Sequence, residues 1–141
     1  MLEAEGLAIA LRKYVDVLRR VSGRPIELCV ADPPRLPGAT AAEVFRIAQE
    51  ALQNALRHAE AEHIEVRLEG NGNGTLVLSV ADDGRGFDPT APVIGAHQGL
   101  RNIADRAARM GATLQITSQP GAGTRIIVDV PYANEQGAET P

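Results

Sequence analysis

The chain has 141 residues, a net charge of -4 and 3% aromatic residues, a length that suits one domain with a single core. An acidic chain with few aromatics offers neither a basic stripe nor a stacking platform, so no nucleic-acid partner is expected. No apolar run approaches the length of a transmembrane helix, and the acidic residues 1–5 are unlike a signal peptide. These features predict a cytoplasmic protein, or the cytoplasmic part of a larger membrane-bound sensor, without direct membrane contact.

The chain begins with a pattern that predicts a helix and then a strand. Residues 6–21 show apolar residues at helical spacing, and Gly23 ends this helix. Residues 25–30 predict a strand that includes the single cysteine, Cys29. A lone cysteine excludes an internal disulfide, and among these apolar neighbours Cys29 is interpreted as a small core residue.

A second helix is predicted over 40–59, which lacks proline and glycine and has apolar residues three and four apart. Thr40 and Glu43 match a capping box at its start. Successive residues turn by about 100°, which gathers the apolar side chains on one face. The opposite face carries Glu50, Asn54, Arg57 and His58. Such a stripe is usually solvated surface, but the small alanines beside it favour a surface that another object approaches.

The residue types of this stripe suit a magnesium–triphosphate. Mg²⁺ prefers oxygen ligands, keeps several waters and takes phosphate oxygens from its substrate. Asn54 can give one carbonyl oxygen, and Glu50 can hold or polarise a metal-bound water. Arg57 and His58 can contact phosphates through charge-assisted hydrogen bonds.

The remaining elements are two strands, a helix and two further strands. They are predicted over 63–68, 76–81, 100–110 (the helix), 112–118 and 124–130. Glycine-rich loops at 70–74 and 119–123 make hairpins between strand pairs. Helices against a largely antiparallel sheet predict an α/β fold, a two-layer α/β sandwich, over residues 1–131. The small polar residues 132–141 predict a frayed, disordered tail.

The most informative stretch is DDGRG at 82–86, directly after the strand over 76–81. The Asp82 carboxylate can accept a hydrogen bond from the exocyclic amine of adenine and would repel the carbonyl oxygen of guanine. The glycines allow the backbone to approach a ligand closely. Alone, this pattern is also typical of an ordinary hairpin turn.

Four motifs together resemble the ATP-binding domains of histidine kinases. They are the N box (50–59), the DxGxG box (82–87), the end of the GxGL box (99–100) and the last glycine motif (121–124). The similarity covers about 6–131 and implies the Bergerat or GHKL fold, in which a mixed, mostly antiparallel sheet carries helices on one face. Residues 46–52 and 100–107 are most similar to the branch of sensor kinases that partner LuxR-like response regulators.

The resemblance implies a role for each matching residue. Asp82 would bind the adenine amine, Asn54 the magnesium ion, and Glu50 would assist phosphoryl transfer as the catalytic residue. The other implied nucleotide contacts are Arg57 and His58 at the phosphates, Gly84 and Gly86 beside the base and ribose, Gly99 and Leu100 in the GxGL box, and Thr124 near the adenine. The implied cofactors are ATP and Mg²⁺.

Residues 87–98 lie between two of these boxes, where the resemblance implies an ATP lid; the alternative is a mobile surface loop. The helix after Gly99 has no capping side chain, and a phosphate there would satisfy its first amides. We therefore expect hydrogen exchange across 87–98 to slow when Mg-ATP binds. His97 replaces the first glycine of the GxGL box, and it either contacts a phosphate or is a solvated loop residue.

The resemblance implies the catalytic, ATP-binding domain of a sensor histidine kinase. It would transfer the γ-phosphoryl group to a histidine on a separate dimerisation domain, and serve a response regulator indirectly. No acceptor histidine is evident, so we expect a fragment, monomeric in isolation, that binds nucleotide but does not autophosphorylate alone. Two alternatives share the fold: an anti-sigma-factor-type serine kinase, and a nucleotide-gated interaction module without catalysis.

Overall fold

The computed structural model describes residues 4–32, 36–57, 61–71, 74–86 and 96–132. Within them the chain forms three helices and five strands. In chain order these are α1 (Ala4–Ser22), β1 (Ile26–Ala31), α2 (Gly38–Arg57), β2 (Ile64–Gly70), β3 (Thr75–Asp82), α3 (Ala96–Arg109), β4 (Thr113–Ser118) and β5 (Thr124–Pro131). Every predicted helix and strand is present, although several begin or end at different residues.

The five strands form one sheet in the order β1-β2-β3-β5-β4. Strands β1 and β2 are parallel, as expected for strands joined through a helix. The other three neighbouring pairs are antiparallel, and the amide of Asn71 donates to the carbonyl of Thr75 at 3.1 Å where β2 turns into β3. The predicted α/β sandwich, with a mixed and mostly antiparallel sheet, is confirmed.

Alternate strand residues face the three helices and form a single core with them. The largest fully buried side chains are Leu7, Leu11, Val15, Ile26, Val44, Ile47, Leu52, Val66, Leu68, Leu76, Leu78 and Ile103. The other face of the sheet carries exposed side chains such as Arg67 and Gln115. Helices on one face of a sheet bury every second strand residue, which is the physical basis of this alternation.

The interpretation of Cys29 as a core residue is wrong, because its side chain is exposed. Strand β1 alternates, with Ile26 buried toward the helices and Leu28 and Val30 partly buried beside it. Cys29 is the residue between the last two and points to the open face. The sequence did not indicate this alternation at Cys29, because Cys29 and its neighbours Leu28 and Val30 are all apolar.

The predicted capping box of Thr40 and Glu43 is also wrong. Helix α2 begins at Gly38, and the amide of Ala41 already donates to the carbonyl of Pro37 at 3.0 Å. Glu43 Oε1 instead accepts from Arg106 Nη1 at 2.9 Å, an ion pair that joins α2 to α3. A tertiary contact therefore takes the carboxylate that a local cap would use.

Helix α3 begins at Ala96, four residues before the predicted start at Leu100. Consequently 96–98, predicted as the end of the lid, form the first turn of a helix, and 87–95 lie outside the described residues. So does most of the predicted tail, except Tyr132, whose amide donates to the carbonyl of Gly74 at 3.0 Å. None of the helices in the described ranges is both long and apolar enough to cross a membrane.

Candidate functional site

The polar stripe of α2 meets the start of α3 at Gly99. Glu50 and Asn54 are one helical turn apart on α2, and both side chains are partly exposed. Gly99 is buried against them: a Cβ placed on residue 99 would lie 2.7 Å from Asn54 Oδ1 and 3.0 Å from Glu50 Oε2. A side chain at residue 99 would require Asn54 and Glu50 to shift, so the N-box residues and the GxGL residue predicted to share a site do lie together.

The other residues of the stripe are less closely held. Arg57, the last residue of α2, is exposed and its Nη2 donates to Gln53 Oε1 at 3.4 Å. His58 lies outside the described residues, as does the side chain of His97, whose backbone belongs to the first turn of α3. Leu100 is partly buried and packs on the core.

A second group of polar residues lies across three neighbouring strands. Asp82 on β3 is the register partner of Thr124 on β5, which is in turn the partner of Ser118 on β4. All three belong to the alternate set that faces the helices, because the buried residues Val80 and Ile126 are two positions away. The predicted adenine anchor and Thr124 are therefore neighbours, in what we call the polar row: Asp82, Thr124 and Ser118.

Asp82 is a partly buried hydrogen-bond acceptor. Its Oδ1 accepts from the amide of Gly84 at 2.8 Å, so Gly84 shapes the loop that follows the strand. Burial raises the pKa of the Asp82 carboxyl above its ordinary value of 3.8, and the neighbouring charge of Asp83 adds to this, while the amides of Gly84 and Thr124 oppose it. A ligand donor at this carboxylate would offset the cost of keeping it ionised in a partly dry site.

The glycines of two motifs lock the ends of the strands together. Gly86 and Gly123 both have positive φ, 64° and 81°. A Cβ on Gly86 would overlap the carbonyl of Gln119, and a Cβ on Gly123 would overlap the carbonyl of Asp82. The amide of Gly121 donates to the carbonyl of Arg85 at 2.5 Å, so the loop after Asp82 and the β4–β5 turn contact each other through their backbones.

Two residues of this region were not predicted. Asp83 Oδ1 accepts from the amides of Glu62 and His63, both at 2.9 Å, and its Oδ2 lies 3.0 Å from His63 Nδ1. Those bonds, chiefly to His63, lower the pKa of the Asp83 carboxyl to about 2. The second residue that was not predicted is Ser118. Both depend on contacts distant in sequence, for which the sequence carries no local signal.

Asp82 also borders two open cavities at this end of the sheet. One, of about 290 Å³, extends toward β1 and β2 and includes His63 and Asp83. The other, of about 400 Å³, extends toward β4 and β5 and includes Ser118 and Thr124. Both cavities include residues of the open face, such as Ala81, and neither includes Glu50, Asn54 or Gly99, so these two cavities do not join Asp82 to the polar stripe of α2.

The pair at Gly99 fits a hard cation that keeps its own ligands. Asn54 offers an amide oxygen and Glu50 a carboxylate, and Mg²⁺ is commonly held by one or two such oxygens together with waters and substrate phosphates. Within the described ranges, no three His, Cys, Asp or Glu side chains cluster as a metal site. The described residues therefore do not surround a metal ion with protein ligands alone. The oxygens of Glu50 and Asn54 are the ones that suit Mg²⁺ together with waters and phosphates.

Comparison with known proteins agrees with this geometry. The family described as histidine kinase-, DNA gyrase B-, and HSP90-like ATPase matches residues 39–134. The chain belongs to this family. The predicted ATP-binding catalytic domain of the sensor-kinase type is thereby confirmed, and neither alternative function is favoured.

Relatives of this chain include sensor kinases. The chain is 38% identical over 139 residues to an uncharacterized sensor-like histidine kinase of Chloroflexus aurantiacus, covering 93% of this chain and 23% of that protein. It is 36% identical over 138 residues to the sensor histidine kinase LiaS of Bacillus subtilis, covering 98% of this chain and 38% of LiaS. The chain thus spans well under half the length of these relatives.

A solved structure gives the same result. The histidine kinase domain of a blue-light activated histidine kinase from Erythrobacter litoralis superimposes with a TM-score of 0.69 at 29% identity, covering 94% of this chain and 63% of that chain. The fold described above is therefore the fold of a histidine kinase domain.

Proposed function

We propose that this domain binds Mg-ATP and presents its γ-phosphoryl group to a histidine on a separate dimerisation domain. The observation that carries the proposal is the close approach of Gly99 to Asn54 and Glu50. It places an amide oxygen, a carboxylate and the first turn of α3 at one point, and a helix N-terminus favours phosphate groups. The polar row supplies the complementary acceptors for a base.

In this proposal each residue has a separate task. Asp82 accepts from the adenine amine, with Thr124 beside it and the backbone of Gly84 and Gly86 lining the base and ribose. Asn54 holds Mg²⁺, which when bound neutralises charge on the phosphates. Arg57, His58 and His97 face the phosphates, and Gly99 and Leu100 close the site.

Glu50 is the catalytic residue of the proposal. In the transfer, an imidazole nitrogen of the acceptor forms a bond to the γ-phosphorus, the bond from that phosphorus to the β-phosphate oxygen breaks, and ADP leaves. A carboxylate within reach of the attacking group can orient it and take up its proton. Glu50 is the carboxylate near Asn54 at Gly99, which supports assigning it this task.

The wider assignments are part of the same proposal. The whole protein is a cytoplasmic sensor kinase, or the cytoplasmic part of a membrane-bound one, and its response regulator is of the LuxR-like type. DegS of Brevibacillus brevis, 33% identical over 132 residues, is one of the relatives consistent with this branch. The isolated domain is monomeric, because dimerisation belongs to the histidine-bearing domain.

The test measures nucleotide binding and transfer separately. Calorimetry with Mg-ADP tests binding by the purified chain, and labelled ATP with a histidine-bearing dimerisation domain of a DegS-type kinase tests transfer. We expect an acid-labile phosphohistidine on the added domain, no label on the chain alone, and no metal-dependent transfer by Asn54→Asp. Acid-stable phosphoserine on an added protein, or strong self-labelling, would contradict the proposal.

A further inference from the structure

Ser118 is the innermost member of the polar row. Ser118 is 6% exposed, and among the described residues it is the only polar one that is buried. Asp82 and Thr124 are partly exposed. Ser118 is therefore the least exposed of the three, and its hydroxyl contacts Thr124 Oγ1, so we expect its influence on a ligand to act through Thr124.

Two hydrogen bonds of Ser118 bear on which hydroxyl, that of Ser118 or that of Thr124, donates to the other. Ser118 Oγ lies 3.2 Å from the carbonyl oxygen of Gly123 and 2.9 Å from Thr124 Oγ1. The second contact alone would allow either hydroxyl to donate. A carbonyl can only accept, and the serine hydroxyl has one proton. Both contacts are hydrogen bonds only if Ser118 donates to Gly123 and Thr124 donates to Ser118.

This direction decides what Thr124 offers to a ligand. With its proton committed to Ser118, Thr124 Oγ1 presents lone pairs and no donor. Its register partner Asp82 is likewise an acceptor when ionised. Two neighbouring acceptors match a ring edge that carries an amine, and they oppose a ring edge that carries a carbonyl oxygen.

We infer that Ser118 is a positioning residue for nucleotide specificity, which holds the Thr124 hydroxyl so that the site accepts 6-amino purines and rejects 6-oxo purines. Without the Ser118 hydroxyl, Thr124 can rotate and donate to a 6-oxo group. The inference rests on the proposed nucleotide binding, and it adds the residue that tightens discrimination beyond what Asp82 provides.

The test compares ADP with inosine diphosphate, in which a 6-oxo group replaces the 6-amino group, both with Mg²⁺ and by calorimetry. We expect Ser118→Ala to reduce the preference for ADP by about three- to tenfold, the value of one neutral hydrogen bond. A merely structural role would weaken both nucleotides equally and leave their ratio unchanged. Ser118→Thr retains the hydroxyl and should retain the ratio.

Two matched controls remove similar groups from the open face of the sheet. Ser79→Ala on β3 and Thr113→Val on β4 lie outside the polar row, and both should keep the wild-type ratio. If Ser118→Ala does not fold, Thr124→Val decides the question, because it removes the hydroxyl that Ser118 is inferred to orient and should also lower the preference for ADP. In the double variant, Ser118→Ala should add nothing to Thr124→Val.

The outcomes separate this inference from the proposed function. A wild-type chain that binds neither nucleotide would contradict the proposed function and the inference with it. A wild-type chain that prefers ADP, together with Ser118→Ala or Thr124→Val variants that keep the full preference, would overturn the inference alone.

Discussion

The two aspartates at the end of β3 are neighbours in sequence and have opposite environments. Burial raises the pKa of Asp82, which faces the helices, although the amides of Gly84 and Thr124 donate to it and oppose this shift. The pKa of Asp83 is lowered to about 2, because its side chain, 49% exposed, is bonded to two amides and the His63 ring. Folding therefore disfavours the ionised form of Asp82 and favours the ionised form of Asp83.

The difference separates a ligand group from a scaffold group within one motif. A carboxyl whose pKa is raised by folding is destabilised as the ion, so ionised Asp82 costs stability that a donor ligand can offset. A carboxyl whose pKa is lowered by folding stabilises the fold as the ion. Asp83 therefore ties the segment after α2 to the end of β3, and Asp82 remains for binding.

The largest expected effect comes from the backbone that positions Asp82. Gly123→Ala puts a Cβ into the carbonyl of Asp82, in addition to an unfavourable positive φ. Gly121→Ala is the matched control, since φ is also 81° but nothing lies within 4 Å. We expect about 3 kcal/mol or more lost from the free energy of unfolding for Gly123→Ala, and about 1–2 kcal/mol for Gly121→Ala.

Urea unfolding of both variants measures this difference. A larger loss for Gly123→Ala supports a turn that is held directly against Asp82. Equal losses in the two variants would show that only backbone conformation matters and that the turn does not brace the end of β3.

The next effect separates the two aspartates by binding. We expect Asp82→Asn to weaken nucleotide binding at least tenfold, because a hydrogen bond to a charged group contributes about 1.5–3 kcal/mol. Its free energy of unfolding should not fall, since burial already disfavours the charge. Calorimetry with Mg-ADP checks the affinity, and Asp83→Asn, the control, should weaken binding less. If Asp83→Asn weakened Mg-ADP binding more than Asp82→Asn, the roles assigned to the two aspartates would be wrong.

Asp83 should instead affect how the free energy of unfolding depends on pH. Its folded pKa of about 2 lies below the ordinary 3.8, so its contribution is complete above about pH 4 and is lost as the pH falls toward 2. Because half of the side chain is exposed, we expect only about 1 kcal/mol. Urea midpoints between pH 5 and 3 should fall less steeply for Asp83→Asn than for wild type. Parallel curves would contradict the assignment.

Much of the fold follows from local patterns, and the errors have tertiary causes. Alternation and helical spacing identified every described helix and strand. Helix α3 begins four residues earlier than predicted because Gly99 was interpreted as its boundary. A glycine is normally unfavourable inside a helix, but here its missing side chain allows the contact with Asn54 and Glu50. The missing side chain that suggested a helix end therefore coincides with a close contact between α3 and α2.

The site was predictable only where a motif carries it. Asp82, Asn54 and Gly99 stand in motifs, and the structure shows Gly99 beside Asn54 and Thr124 beside Asp82. Ser118 and Asp83 were missed because their partners are set by strand register and by the loop after α2. The inferred donation from Thr124 to Ser118 depends on the contact between Ser118 Oγ and the Gly123 carbonyl. No spacing in the sequence predicts that contact.

The smallest expected effect extends the comparison to the two sides of β1. Cys29 is exposed on the open face, whereas Ile26 on the same strand is 2% exposed and faces the helices. We expect Cys29→Ser to change the free energy of unfolding by less than about 0.5 kcal/mol, and Ile26→Val to lower it by about 1 kcal/mol. A thiol reagent should modify Cys29 in the folded protein without changing Mg-ADP affinity. If Cys29 reacted only after the protein unfolds, another surface would have to cover the open face of the sheet. The conclusion that β1 has one exposed and one buried side would then be wrong.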